Sequence, residues 1–451
     1  MRILIAGMLM FTGSWVQAAQ KPNIILLFID DLGYGDTGPF GCADIPTPNI
    51  DRLAEGGVVL TQTYVTNPPC CPSRSSLLMG MYGQRFGKYG MARGQALPEE
   101  LPTFAEIFRD HGYVTGQVGK WDVGDKWQGP SARGFMEVAK IAPRTNDDKL
   151  NFLCKTEAGD VAWVTEIDGD NLVDFVDRNR KAGKPFLMYW SPLAVHSPHK
   201  TIPEEYPART TAPANRQKLG GGIVCLDDQV GKLLDYLDEH DMRENTLIIF
   251  SSDNGPNTGE GGSSTPYRGG KGKDTQQIGW TLSPTIASWP GVIPERSTFD
   301  GLACTLDFYA TILAAANLPV PAHIDGVDLM PYLTGKKKGD VHEYIYWLNN
   351  DPTDTKHRHL VAVRWKNWRL YRHEETDAWQ LFDLKKDPRE EMDVASKYPE
   401  IVQQLGEKHA DWKSTLAPCW KISTSKYRSP GPVTPEGYGW VMTDGKAVPR
   451  K

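Results

Sequence analysis

Asn23-Ile24-Ile25-Leu26-Leu27-Phe28-Ile29-Asp30-Asp31 is the stretch on which the fold turns. A strand with one wet face alternates apolar and polar residues, whereas this run is apolar without a break. That is the pattern of a strand buried on both faces of a parallel sheet. It ends on two acids, and open α/β sheets bind their ligands at the carboxyl ends of their strands.

The same rhythm repeats downstream. Residues 103–111 read as a helix and 113–118 as a strand. Residues 167–179 suggest a second helix and 185–190 a second strand. Residues 223–239 carry Val224, Val230, Leu233, Leu234 and Leu237 at helical spacing, ahead of a strand over 247–251. Such alternation predicts an α/β fold, a mostly parallel sheet sandwiched by helices. After Gly335-Lys336-Lys337-Lys338-Gly339 the rhythm changes. Residues 359–365, 367–371 and 378–384 look like successive short strands, and 399–412 like one helix. The expected division is a main domain over residues 20–334 and a C-terminal subdomain over 335–451, a smaller antiparallel sheet plus a helix. The tail from about Ser423, rich in Pro and Gly, reads as an extended surface segment.

Composition narrows the function classes. With 451 residues, 40% hydrophobic and 24% charged, the chain suits a soluble globular enzyme of more than one domain. A formal net charge of −6 argues against nucleic acid as a partner, which calls for a basic excess. An anionic substrate is compatible with it, provided cations gather at one site. Met1-Arg2, an apolar run from Ile3 to about Phe11, and Val16-Gln17-Ala18-Ala19 read as a secretory signal peptide over residues 1–19. A buried N-terminal strand is the alternative. That run is too short to span a bilayer, and no later one is long enough, so no transmembrane segment is expected. The expected location is periplasmic or secreted. The seven cysteines are Cys42, Cys70, Cys71, Cys154, Cys225, Cys304 and Cys419, with no C-x-x-C zinc pattern. If one is consumed by chemistry, the remaining six permit up to fifteen full pairings, among which sequence does not choose.

The chemistry centres on Asn67-Pro68-Pro69-Cys70-Cys71-Pro72-Ser73-Arg74-Ser75-Ser76-Leu77-Leu78-Met79-Gly80. Adjacent cysteines can be a structural pair, or a thiol at a helix N-terminus, where the local field lowers its pKa. Pro72 suits a first helical turn, and Ser73 or Ser75 can satisfy free N–H groups there. The spacing of Cys, Pro, Ser and Arg is more demanding, and it resembles the C-x-P-S-R signature of the type I, formylglycine-dependent sulfatases. The resemblance implies the fold of the alkaline phosphatase-like superfamily. It implies that a formylglycine-generating or sulfatase-maturing enzyme oxidises Cys70 to formylglycine, with Cys71 filling the variable position. A sulfated serine or cysteine would be a stable dead end. A hydrated aldehyde can attack sulfur with one oxygen and then expel sulfate by deprotonating the other.

Asp30-Asp31 and Asp253-Asn254-Gly255 each close a strand-like run. Taken singly, the first is a capping pair and the second a turn. Three carboxylates and an amide oxygen are hard ligands, suited to Ca²⁺ or, less so, Mg²⁺. The resemblance implies that Asp30, Asp31, Asp253 and Asn254 hold the cation together with oxidised Cys70. It implies that Arg74, Lys120 and Lys271 counter the charge of a sulfate ester, and that His196 lies near the sulfate and its leaving oxygen. The pattern breaks at Gly119-Lys120-Trp121-Asp122, where the family usually has His after Trp. Asp122 is expected to be a base of shifted pKa or to bind a sugar hydroxyl, with His199 or another residue supplying the missing function. Trp280 departs from the family too, and a packed core residue is the better reading of it. The expectation is therefore a sulfuric ester hydrolase acting on a sulfated saccharide. Its rivals are a phosphonate or phosphate monoester hydrolase on the same scaffold and a catalytically weak protein that binds sulfated glycans.

Overall fold

Asn23–Ile29 forms strand β1, and all seven residues are buried. Ile25, Leu27 and Ile29 face one apolar core, while Ile24, Leu26 and Phe28 face another on the opposite side of the sheet. That division is the physical reason for the unbroken apolar run. The computed structural model describes residues 21–91, 95–123, 128–139, 152–155, 159–272, 275–349, 359–418, 440–443 and 446–449. The expected signal peptide, Cys419 and most of the tail lie outside the described residues.

The elements follow in chain order. Helix α1 (Pro48–Glu55) leads into β2 (Val58–Tyr64), and α2 (Cys70–Met79) follows. Then come α3 (Phe104–Asp110), β3 (Val114–Gly119) and the short β4 (Glu137–Val138). A small hairpin of β5 (Leu153–Lys155) and β6 (Val161–Trp163) precedes α4 (Val164–Lys181) and β7 (Phe186–Ser191). Next are α5 (Ala214–Glu239), β8 (Thr246–Ser252), β9 (Leu282–Ser288), β10 (Ser297–Phe299) and β11 (Ala303–Cys304). Helices α6 (Asp307–Ala315) and α7 (Met330–Leu333) close this part. The second sheet comprises β12 (Tyr344–Asn349), β13 (Leu360–Trp365), β14 (Trp368–Arg372) and β15 (Gln380–Asp383), with α8 (Pro399–Lys413) after it. Strands β16 (Trp440–Thr443) and β17 (Lys446–Pro449) pair antiparallel.

The large sheet has nine strands in the order β10-β2-β9-β8-β1-β7-β3-β4, with β11 beside β2. Strands β1, β3, β7 and β8 run parallel, so their carboxyl ends meet along one edge. Strand β9 alone runs against its neighbours β2 and β8. Residues of α1, α4 and α5 fill one face, and those of α2, α3 and α6 the other. Among the described residues no helix is long and apolar enough to cross a membrane.

Two local expectations are corrected. Helix α5 begins at Ala214, nine positions before residue 223, because Gly220-Gly221-Gly222 lie inside it. Glycine disfavours helix, but here the bare backbone lets Pro207 approach Gly221 closely. In the C-terminal sheet the pattern over residues 359–384 matches β13 to β15, yet the sheet's first strand, β12, had no counterpart in the expected series. Trp280 is fully buried, as a core residue should be.

Candidate active site

Three parallel strands deliver the acids and one lysine to a common edge. Asp30 and Asp31 follow β1, Lys120 follows β3, and Asp253-Asn254 follow β8. Cys70 opens α2 directly above them. Asp31 adopts a left-handed φ of 60°, which turns consecutive carboxylates toward one point. Oxygen atoms of Asp30, Asp31 and Asp253 and the Cys70 sulfur all lie within 4.8 Å of one another.

Fixed cations surround this cluster. Lys120 Nζ donates to Asp30 Oδ2 at 2.7 Å, and Lys271 Nζ to both Asp31 oxygens at 2.8 Å. Lys271 also stands 3.3 Å from Cys70 Sγ. Arg74 lies one helical turn after Cys70 and donates to Asp253 Oδ2 at 2.6 Å. Its other arm bonds Ser191 and, at 3.3 Å, the Tyr189 hydroxyl, two anchors on β7 that no sequence signal marked. His196 Nε2 is 3.8 Å from Asp31 Oδ2, and its Nδ1 faces the Ser197 carbonyl at 2.5 Å.

Charge follows from this packing. Burial raises the pKa of Asp30, but Lys120, then His196, Arg74 and Lys271, outweigh it and hold the carboxyl well below the usual range. Burial pushes Asp253 up to about 6 against the pull of Arg74. Burial, then the Asp253 and Asp30 carboxylates, drives the Cys70 thiol well above its ordinary value.

The residues fit a hard divalent cation. Asn254 donates Nδ2 to Asp31 Oδ1 at 2.7 Å, while its Oδ1 is buried with no hydrogen-bond partner. A buried orphan acceptor beside three carboxylates is costly unless a cation completes it. Asp30, Asp31, Asp253 and Asn254 would be its protein ligands.

Asp122 also takes a left-handed φ, of 41°, and places Oδ2 3.5 Å from Lys120 Nζ. His199 lies near enough to His196 and Asp31 to feel their charge. Its Nε2 bonds the Val195 carbonyl at 2.8 Å and its Nδ1 faces Glu260 at 3.9 Å. Lys88 is a buried cation that sequence reasoning passed over. It donates to Ser75 Oγ at 3.0 Å and to the Val123 carbonyl at 2.7 Å, tying α2 to the loop that carries Lys120 and Asp122.

A parallel α/β sheet with a carboxylate cluster, ringed by cations at its carboxyl edge, defines a hydrolase of anionic esters in the alkaline phosphatase-like superfamily. Residues 22–318 match the sulfatase family, and residues 281–415 match the C-terminal part of N-sulphoglucosamine sulphohydrolase. The chain belongs to the sulfatase family and is a sulfuric ester hydrolase. It is 32% identical to N-acetylgalactosamine-6-sulfatase of Canis lupus familiaris, over 81% of this chain and 74% of that one. It is 31% identical to arylsulfatase A of Homo sapiens, over 88% of this chain and 89% of that one. Among solved structures, Ps i-CgsB in complex with k-i-k-neocarrahexaose superposes with a TM-score of 0.80 at 28% identity. That match covers 90% of this chain and 96% of the other.

Proposed function

We propose that this sulfatase removes sulfate from a sulfated carbohydrate, with Cys70, oxidised to formylglycine, as its nucleophile. The observation that carries the reading is the position of Cys70 Sγ, 3.4 Å from Asp30 and 3.3 Å from Lys271, on an edge lined with opposed charges. Sulfated sugars are the substrates named for the N-acetylgalactosamine-6-sulfatase relative, which supports the substrate class. Position 70, once oxidised, supplies a hydrated aldehyde with one oxygen for attack on sulfur and a second whose deprotonation releases sulfate. Calcium is the cation proposed for Asp30, Asp31, Asp253 and Asn254, since hard oxygen donors in an irregular cage suit it.

The remaining steps belong to side chains. Arg74 holds position 70 against Asp253. Lys120 and Lys271 offset the charge that grows on the sulfuryl oxygens, the kind of fixed electrostatic stabilisation that usually dominates such catalysis. His196 protonates the leaving alkoxide, with Lys271 as its companion donor. Asp122, 3.5 Å from Lys120, serves as a base or takes a sugar hydroxyl. Residues 20–334 are proposed as the catalytic unit and 335–451 as its support, in a protein exported by residues 1–19.

Peptide mass spectrometry across positions 67–85 of native protein, paired with desulfation assays on sulfated saccharides, tests this. Aldehyde at position 70 and loss of turnover in Cys70→Ala are expected. Full activity with an intact thiol would overturn it. Parallel assays with aryl sulfate, phosphate and phosphonate separate the rival esterase reading, for which a faster phosphonate rate is required.

A further inference from the structure

A second cluster of metal-ligating side chains lies away from the catalytic edge. Cys304 ends β11, Asp307 opens α6, and His342 stands two residues before β12. One ligand atom from each comes within 4.8 Å of the other two. His342 Nε2 is 2.7 Å from Asp307 Oδ1 and 3.4 Å from Cys304 Sγ, so both groups converge on one ring nitrogen. A catalytic triad would divide them between the two nitrogens, so nucleophilic chemistry is a poor fit.

We propose that Cys304, Asp307 and His342 form a zinc-type metal site that ties the main domain to the C-terminal sheet. Donor type selects the ion: one sulfur, one imidazole and one carboxylate suit zinc, whereas the oxygens of Asp30, Asp31, Asp253 and Asn254 suit calcium. The geometry is close to what zinc needs. Tetrahedral bonds of about 2.3 Å to sulfur and about 2.0 Å to nitrogen place those atoms roughly 3.5 Å apart. The observed sulfur–nitrogen separation is 3.4 Å. The imidazole–carboxylate contact must open from 2.7 Å by about 0.7 Å as the ion replaces their shared proton.

The carboxylate is already oriented by backbone donors. Asp307 Oδ2 accepts from the Cys304 N–H at 2.8 Å, and Oδ1 from the Val327 N–H at 2.9 Å. Such outer hydrogen bonds accompany most protein metal sites. The His342 side chain keeps 15% of its surface exposed, so the cluster borders solvent on that side.

Charge balance suits the ion. A carboxylate, a thiolate, a neutral imidazole and a divalent ion sum to zero, with the Cys304 thiol proton released to solvent as the metal–sulfur bond forms.

The test uses full-length Cys70→Ser protein, which removes the catalytic-site sulfur as a competing ligand. Titration with Co²⁺ as a spectroscopic probe should give a thiolate-to-metal absorption band at one equivalent. Zn²⁺ should displace that ion, and Zn²⁺ added to metal-free protein should release protons, measured by calorimetry in buffers of different ionisation heat. The band should be lost when Cys304→Ser is added and weakened at least tenfold in affinity by His342→Gln. No band in the Cys70→Ser protein, or an unchanged band after Cys304→Ser, overturns the site. Neither outcome bears on whether Cys70 is the nucleophile, which the peptide mass spectrum decides separately.

Discussion

Asn254 has a committed amide nitrogen and an uncommitted amide oxygen. Its Nδ2 donates to Asp31 Oδ1 and to the Gly255 carbonyl, while its buried Oδ1 has no hydrogen-bond partner. Asn254→Ala should raise the metal concentration for half-maximal activity by at least about tenfold. A metal titration after chelation measures this, and an unshifted midpoint would remove Asn254 from the ligand set. Asp122 is the residue where the usual pattern fails. Its carboxylate and that of Asp30 both address Lys120, at 3.5 Å and 2.7 Å. Asp122→Asn is expected to lower kcat about a hundredfold, the low end for loss of a group acting on proton transfer. Comparing pH–rate profiles of wild type, Asp122→Asn and Asp122→His checks it. Equal turnover in all three would leave Asp122 no part in the chemistry.

Helix α8 and strand β12 meet through a histidine that burial keeps neutral. His409 donates from Nε2 to the Trp347 carbonyl at 3.0 Å, and desolvation brings its pKa down to about 4. An imidazole in the unfolded chain titrates near ~6.5. The folded state therefore binds fewer protons between those values. Its contribution is complete above pH ~6.5 and is lost as pH falls toward 4, by at most about 3 kcal/mol. Thermal unfolding across that window should show a steeper loss for wild type than for His409→Gln. Parallel curves would mean that this ring does not titrate with unfolding. The contrast with α5 is instructive. The apolar spacing after residue 223 marks that helix, while its glycine-rich start takes its shape from neighbours rather than from its own propensity.

At the scale of the whole molecule, the small sheet holds the segment that leads into Cys70. Trp347 Nε1 donates to the Val65 carbonyl at 2.7 Å, and Asn349 Nδ2 to the Pro68 carbonyl at 3.0 Å. Both bonds brace residues 65–69, which lead directly into Cys70. Trp347→Phe keeps the ring but leaves a buried carbonyl unpaired, at a cost of about 1–3 kcal/mol. Loss of both thermal stability and kcat is expected, with KM little changed. A drop in melting temperature with full kcat would make β12 a stabiliser only.

The sequence by itself determined the α/β class, the end of β1 at Asp30-Asp31, the end of β8 at Asp253-Asn254 and the Cys70-to-Arg74 sulfatase motif. Each of these rests on a local signal: an unbroken apolar run stopped by acids, or a fixed spacing of unusual residues. Only the tertiary structure decided that Lys88, Tyr189 and Ser191 contact the site residues, and that Cys304, Asp307 and His342 converge. Those facts depend on which distant segments pack together. Periodicity describes the face an element buries, but the partner side chains across that face carry no pattern of their own.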